Sequence, residues 1–252
     1  MIPDADATPR SLPARRALLR GSLVGAMAAG GAALTATAAN ATASPSASPT
    51  PHAPAPARPT TAAEALRELA AGNRRWRAFR ERHPDETPAV RQSLTQGQHP
   101  FAVVLGCIDS RVPPELVFDQ GLGDLMTVRT AGEVLDEAVL GSVAYGVLEL
   151  GIPLVVVLGH QSCGAVRAAV AADLSGERLP AHIQYLADQI RPVIDRTREG
   201  DARIDATIDA NVLAVRARLA AEPDLAAKIT AGRLAVVGAR YELTTQTVHR
   251  LS

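Results

Sequence analysis

Three short stretches of the chain are apolar without a break: FAVVL at 101–105, LVVVL at 154–158 and LAVV at 234–237. A strand with one wet face alternates apolar and polar residues, so unbroken runs point to parallel strands covered on both faces. MTV at 126–128 is a fourth candidate strand. Between these runs, 137–150, 165–172 and 206–221 read as helices. Upstream, TAAE at 61–64 has the capping-box pattern, and Leu66, Leu69 and Trp76 follow near helical intervals. That pattern predicts a helix to about Arg80, with many arginines on its wet face. Strands alternating with helices predict an α/β fold, a single domain at 61–252 with a mainly parallel central sheet flanked by helices. No internal repeat is visible.

The first 60 residues lack this patterning and are mostly Ala, Ser, Thr, Pro and Gly. Arg15-Arg16 precedes an uncharged Gly/Ala-rich segment at 21–39, and Ala36-Thr37-Ala38 and Ala41-Thr42-Ala43 have the small-x-small form of a cleavage site. The pattern at 1–43 resembles a twin-arginine export signal, with Ala14 where such signals usually carry Ser or Thr. It implies an exported protein of the cell envelope or outside. Leu23, Val24, Met27 and Leu34 are the segment's only large apolar side chains. Ala and Gly gain little in lipid, so no stable membrane span is expected after cleavage. The Pro/Ala/Ser-rich stretch at 44–60 reads as an extended spacer, and His52 within it as inert.

Charge narrows the classes of partner. With 26 basic and 26 acidic residues and 3% aromatics, the chain offers neither a strong field nor a stacking surface, which excludes nucleic acid as the expected partner. Two cysteines permit at most one disulfide, so this is no disulfide framework.

Both cysteines stand where a predicted strand ends, in GCIDSR at 106–111 and LGHQSCGA at 158–165. Ligands gather at the carboxyl ends of strands in such sheets, so residues distant in sequence can meet there. Cys107, Asp109, His160 and Cys163 together make a tetrahedral zinc set. The spacing of His160 and Cys163 lets a strand-to-helix turn aim both at one point, with Cys163 near a helix start that favours its thiolate. Each residue also has a plainer reading: Cys107 as a small buried hydrophobe, the two cysteines as a disulfide, His160 as a turn histidine, Asp109 as a cap paired with Arg111. One metal explains all of them at once. His83, His99, His182 and His249 lack metal spacing, and Ser110 lacks the base that a nucleophile needs.

Cys107-x-Asp109-Ser110-Arg111 followed by His160-x-x-Cys163 resembles the β-class carbonic anhydrases, in particular their bacterial branch. SRVPPELVFDQGLGDLMTVRTAG, AVLGSVAYGVLELGIPLVVVLGHQSCGAV and GRLAVVGARYEL extend the likeness over about 62–250. The resemblance implies one Zn2+ per chain, no organic cofactor, and a small-molecule substrate, carbon dioxide or bicarbonate. Zinc in carbonic anhydrases lowers a bound water from about 15.7 to about 7, so that zinc-bound hydroxide attacks carbon dioxide. It further implies that Asp109 and Arg111 form a dyad: paired, Asp109 leaves the metal open, and released, it ligates zinc and shuts the site. Gln120 would donate to substrate across a subunit interface of a homodimer or homotetramer, and the Gly164 N–H would hold the bound oxygen. Plainer roles are a loop cap for Gln120 and a tight helix start for Gly164.

In some bacterial members a second, non-catalytic bicarbonate pocket regulates the dyad, and Trp76, Arg129 and Tyr241 match its Trp, Arg and Tyr by position. Their ordinary readings are helix core, ion-pair partner and packed tyrosine. Ile108 fills a position often small or polar in the family, and Glu133 stands where relatives vary. Two other readings keep the metal: hydrolysis of carbon disulfide or carbonyl sulfide, and an exported, non-catalytic zinc-stabilised binding protein. A closed structural site would need neither the Asp109–Arg111 pair nor Gln120.

Overall fold

The computed structural model describes residues 58–252. The export signal expected at 1–43 and most of the spacer at 44–60 lie outside the described residues. Helix α1 (Ala62–Arg77) begins as its capping box dictates: the Thr61 hydroxyl accepts from the Glu64 N–H, and the Glu64 carboxylate accepts from the Thr61 N–H. It stops short of Arg80 because Ala78 leaves helical ψ and Phe79 takes a left-handed φ of 53°. There follow α2 (Pro88–Ser93), β1 (Ala102–Cys107), α3 (Pro114–Val117), β2 (Leu125–Thr130) and α4 (Glu137–Leu148). Then come β3 (Leu154–His160), α5 (Gly164–Ser175), α6 (Ile183–Ile190), α7 (Gly200–Ala221), α8 (Pro223–Thr230), β4 (Ala235–Tyr241) and β5 (Val248–Leu251).

The sheet runs β2-β1-β3-β4-β5. The first four strands are parallel and β5 closes the edge antiparallel to β4, so the fold is α/β with a mostly parallel sheet, as the apolar runs require. The missing polar alternation now has its cause. On β1, Val103 and Leu105 pack beneath α4 and α7, whereas Ala102 and Val104 pack beneath Ala65 and Leu69 of α1. A third apolar cluster, built from α5, α6 and α7, lies beyond the strands' carboxyl ends and includes Cys107 and Cys163. Chain order reverses between β1 and β3, since β2 lies on the far side of β1. The crevice outside that pair is the switch point where ligands bind in doubly wound sheets. Among the described residues no helix is long and apolar enough to cross a membrane.

Where α1 crosses the end of α3, a Cβ on Gly72 would lie 1.6 Å from the Phe118 carbonyl oxygen. Gly72→Ala is therefore expected to cost at least about 1–3 kcal/mol of stability, as overpacking does. Urea unfolding would read this as a lower midpoint at unchanged slope. A midpoint equal to wild type would contradict this seating of α1.

Candidate metal centre

Adjacent strands deliver the first two donors. Cys107 is the last residue of β1 and His160 the last of β3, and these strands pair directly, with Gly106 opposite Leu158. The chain then turns sharply through Ser162, whose φ is 57°, and Cys163 becomes the N-cap of α5. The ligand atoms of Cys107, His160 and Cys163 lie within 4.8 Å of one another, and all three residues are buried. Among the described residues this is the one such group of three.

Both cysteines are free thiols, and their sulfurs stand 3.9 Å apart, about twice the length of a disulfide bond. The two share a hydrogen bond. It draws the Cys107 thiol down to about 4, with the N–H groups of Gly132 and Asp109 helping. The same bond, with burial, pushes the Cys163 thiol above its ordinary range. One proton therefore stays between two sulfurs until a cation replaces it.

The imidazole is oriented for the same purpose. His160 Nδ1 lies 2.9 Å from the Gln161 carbonyl, which can only accept, so Nδ1 carries the hydrogen and Nε2 the lone pair. That Nε2 is buried and has no hydrogen-bond partner. An orphaned lone pair facing two sulfurs is a donor set that fits zinc, and the fixed tautomer is what a metal-binding histidine needs.

Asp109 comes to the rim of this group without joining it. The Arg111 N–H and Nε both donate to its Oδ1 at 2.9 Å, and Nη2 donates to Oδ2 at 2.7 Å. This clasp holds the Asp109 carboxyl down at about 2. Its Oδ2 nevertheless lies 3.9 Å from His160 Nε2. Ile108 and Ser110 flank it on the exposed turn.

Other expected site residues are placed less directly. Gly164 opens α5 beside Cys163, with open space where a side chain would be. Gln120 is buried, and its amide donates to the Phe118 carbonyl at 2.8 Å and to Glu68 at 3.4 Å. It lines a groove along α1 that holds none of the Cys–His–Cys residues of its own chain.

Of the residues expected in a regulatory pocket, Trp76 and Tyr241 meet, and Arg129 stands apart from them. Trp76 Nε1 donates to the Tyr241 hydroxyl at 3.1 Å, but β1 and β3 lie between Tyr241 on β4 and Arg129 on β2. Three strand spacings amount to about 14 Å. Arg129 instead donates to the carbonyls of Cys107 at 2.8 Å and Asp109 at 2.7 Å, so it holds the turn that carries the dyad.

Three residues behind the sulfurs matter more than their sequence suggests. Gly132, with φ 67°, and Glu133, with φ 52°, form a left-handed turn. A side chain on Gly132 would meet Ile190 at 2.9 Å, so this turn needs glycine on two counts. The Gly132 N–H points at Cys107 Sγ, 3.5 Å away. Glu133 is 1% exposed with one carboxylate oxygen unpartnered, and burial beside Cys107 pushes its carboxyl well above the usual range. Asn211 of α7 secures the turn from behind, donating to the Gly132 carbonyl at 2.8 Å. No spacing in the sequence signals this support, because it joins β2's end to the middle of a helix.

The comparisons agree with this geometry. A family model described as carbonic anhydrase matches residues 102–248. Carbonic anhydrase 2 of Mycobacterium tuberculosis is 44% identical over 187 residues, covering 73% of this chain and 89% of that protein. Among solved structures, the β-carbonic anhydrase CcaA superposes with a TM-score of 0.61 at 24% identity, covering 74% of this chain and 87% of its own. A tetrameric β-carbonic anhydrase of Sordaria macrospora does so with 0.61 at 21%, covering 74% and 96%. Sequence and fold thus lead to one assignment: the chain belongs to the β-class carbonic anhydrases.

Proposed function

We propose that the chain hydrates carbon dioxide reversibly to bicarbonate and a proton at a zinc ion held by Cys107, His160 and Cys163. The carrying observation is the buried, unpartnered His160 Nε2 facing two sulfurs, while the one carboxylate nearby is tied back by Arg111. Bound zinc supplies an acidified water as the nucleophile. The chain does the rest. Asp109 is ionised near neutrality, so its carboxylate can only accept, and it orients the attacking group by taking a hydrogen bond from it. Arg111 keeps Asp109 off the metal, which leaves a coordination position free, the mark of a catalytic site. The Gly164 N–H is among the unpaired donors that open α5, suited to a substrate oxygen.

Gln120 lies away from its own chain's donors, which supports service to a second copy's site in a homodimer or homotetramer. The tetrameric relative from Sordaria macrospora supports the same assembly. Stopped-flow hydration of carbon dioxide, with zinc counted per chain, tests the whole reading. Activity with one zinc per chain is expected. Metal-free protein with its sulfurs joined would overturn it.

The Arg15-Arg16 leader supports export by the twin-arginine route. That route carries folded proteins, so zinc would be loaded before the thiolates meet an oxidising compartment. Fractionation is expected to find the mature enzyme outside the cytoplasm, and finding it only in the cytosol would contradict this.

A further inference from the structure

We propose that Asn211 is a positioning residue for the metal site, acting through Gly132 on the Cys107 sulfur. The inference rests on the zinc reading above and concerns what tunes that site. Asn211 is 4% exposed in the middle of α7, where a polar amide is costly unless it is hydrogen-bonded. One N–H goes to the Gly132 carbonyl at 2.8 Å. That bond falls on the first of the two consecutive left-handed residues, inside the short 3-10 turn Ala131–Glu133.

The scaffold behind the amide is rigid. A Cβ on Gly159 of β3 would come within 2.4 Å of Val212, so α7 lies directly on the strand that ends in His160. Asn211 is therefore fixed relative to one metal ligand while it fixes the backbone that touches another. With Gly132 pinned, its N–H is aimed at Cys107 Sγ, 3.5 Å away. A hydrogen bond from a backbone N–H to a ligating sulfur orients that sulfur and draws charge off it. Partners of this kind behind a ligand tune metal affinity by orienting the ligand.

The test compares wild type with Asn211→Ala. Zinc affinity is measured by competition with a chromophoric chelator, alongside the thiolate-to-metal charge-transfer band after cobalt substitution and melting in the metal-free state. Zinc affinity is expected to fall by about 10–100-fold, the range for such partners, and the cobalt band to shift. A purely structural Asn211 would lower metal-free melting while leaving both metal readouts at wild-type values, and that result overturns the proposal. Wild type that takes up no zinc overturns the metal site itself, and this role with it. If Asn211→Ala does not fold, wild type loaded with NMR-active cadmium decides. A scalar coupling from the metal through Cys107 to the Gly132 amide proton is expected, and its absence overturns the proposal.

Discussion

Cys163→Ser is expected to empty the site of zinc and to lower carbon dioxide hydration by on the order of 10³-fold or more, since zinc makes the nucleophile. The substitution separates chemistry from folding. Cys163 is the N-cap of α5, and serine is among the preferred residues at that position. Helix α5 should thus form at least as well as in wild type, so lost activity cannot be blamed on lost structure. What serine removes is charge: a hydroxyl stays protonated where a thiolate would bind. Metal analysis, stopped flow and melting check the three parts together. A variant that keeps one zinc per chain and its activity would mean that some other side chain completes the set.

The same pair of sulfurs fixes a pH dependence. Free of metal, Cys107 and Cys163 share one proton, with Cys107 drawn down to about 4 and Cys163 pushed up. Zinc needs both as thiolates, so binding expels the shared proton and affinity rises with pH. One proton released per ion implies about a tenfold loss of affinity for each unit of acidification across the window between the two. Chelator competition at several pH values measures that slope, and a flat profile would show that the pair holds no proton to expel.

Much of this architecture is legible in the amino-acid sequence. Parallel strands announce themselves because burial on both faces removes the polar alternation: β3 contains its expected run whole, and β1 and β4 contain theirs from the second residue on. The ligands are legible because they sit at strand ends next to glycine-rich turns, where a core has no use for Asp, Arg or His. Short elements stand outside that logic. Strand β5 has four residues and its two central ones are exposed, so edge pairing to β4 rather than its own pattern makes it a strand. Helices α2, α6 and α8 are one or two turns long, too short for a period to show. Likeness by position is also silent on contact at Arg129, because it carries no information about which strands stand between two residues. Glu133 and Asn211 are invisible as site residues for the converse reason: each looks like a surface polar residue until α7 is laid on β3.

Arg111→Ala is expected to keep its zinc and yet lose activity by about 10²-fold or more, the scale of a positioned catalytic group. Asp109 Oδ2 already lies 3.9 Å from the His160 nitrogen that would hold the metal. In wild type three hydrogen bonds from Arg111 restrain the carboxylate. Without the guanidinium, a divalent cation offers it the best remaining partner, and the open vertex fills with a fourth protein ligand. Acid does not imitate this near neutrality. Arg111 depresses the Asp109 carboxyl to about 2, so the stabilisation from the pair is fully present above the ordinary carboxylate value of 3.8 and is lost only as pH falls through about 2. Any activity change around neutral pH must then arise from a group other than Asp109 taking up a proton. The decisive comparison adds Asp109→Asn to Arg111→Ala. A carboxamide is a poor zinc ligand, so if blockade is the cause, the double variant regains activity over Arg111→Ala alone, with zinc content equal in both. A double variant no faster than the single one would show that blockade by the Asp109 carboxylate is not what slows Arg111→Ala.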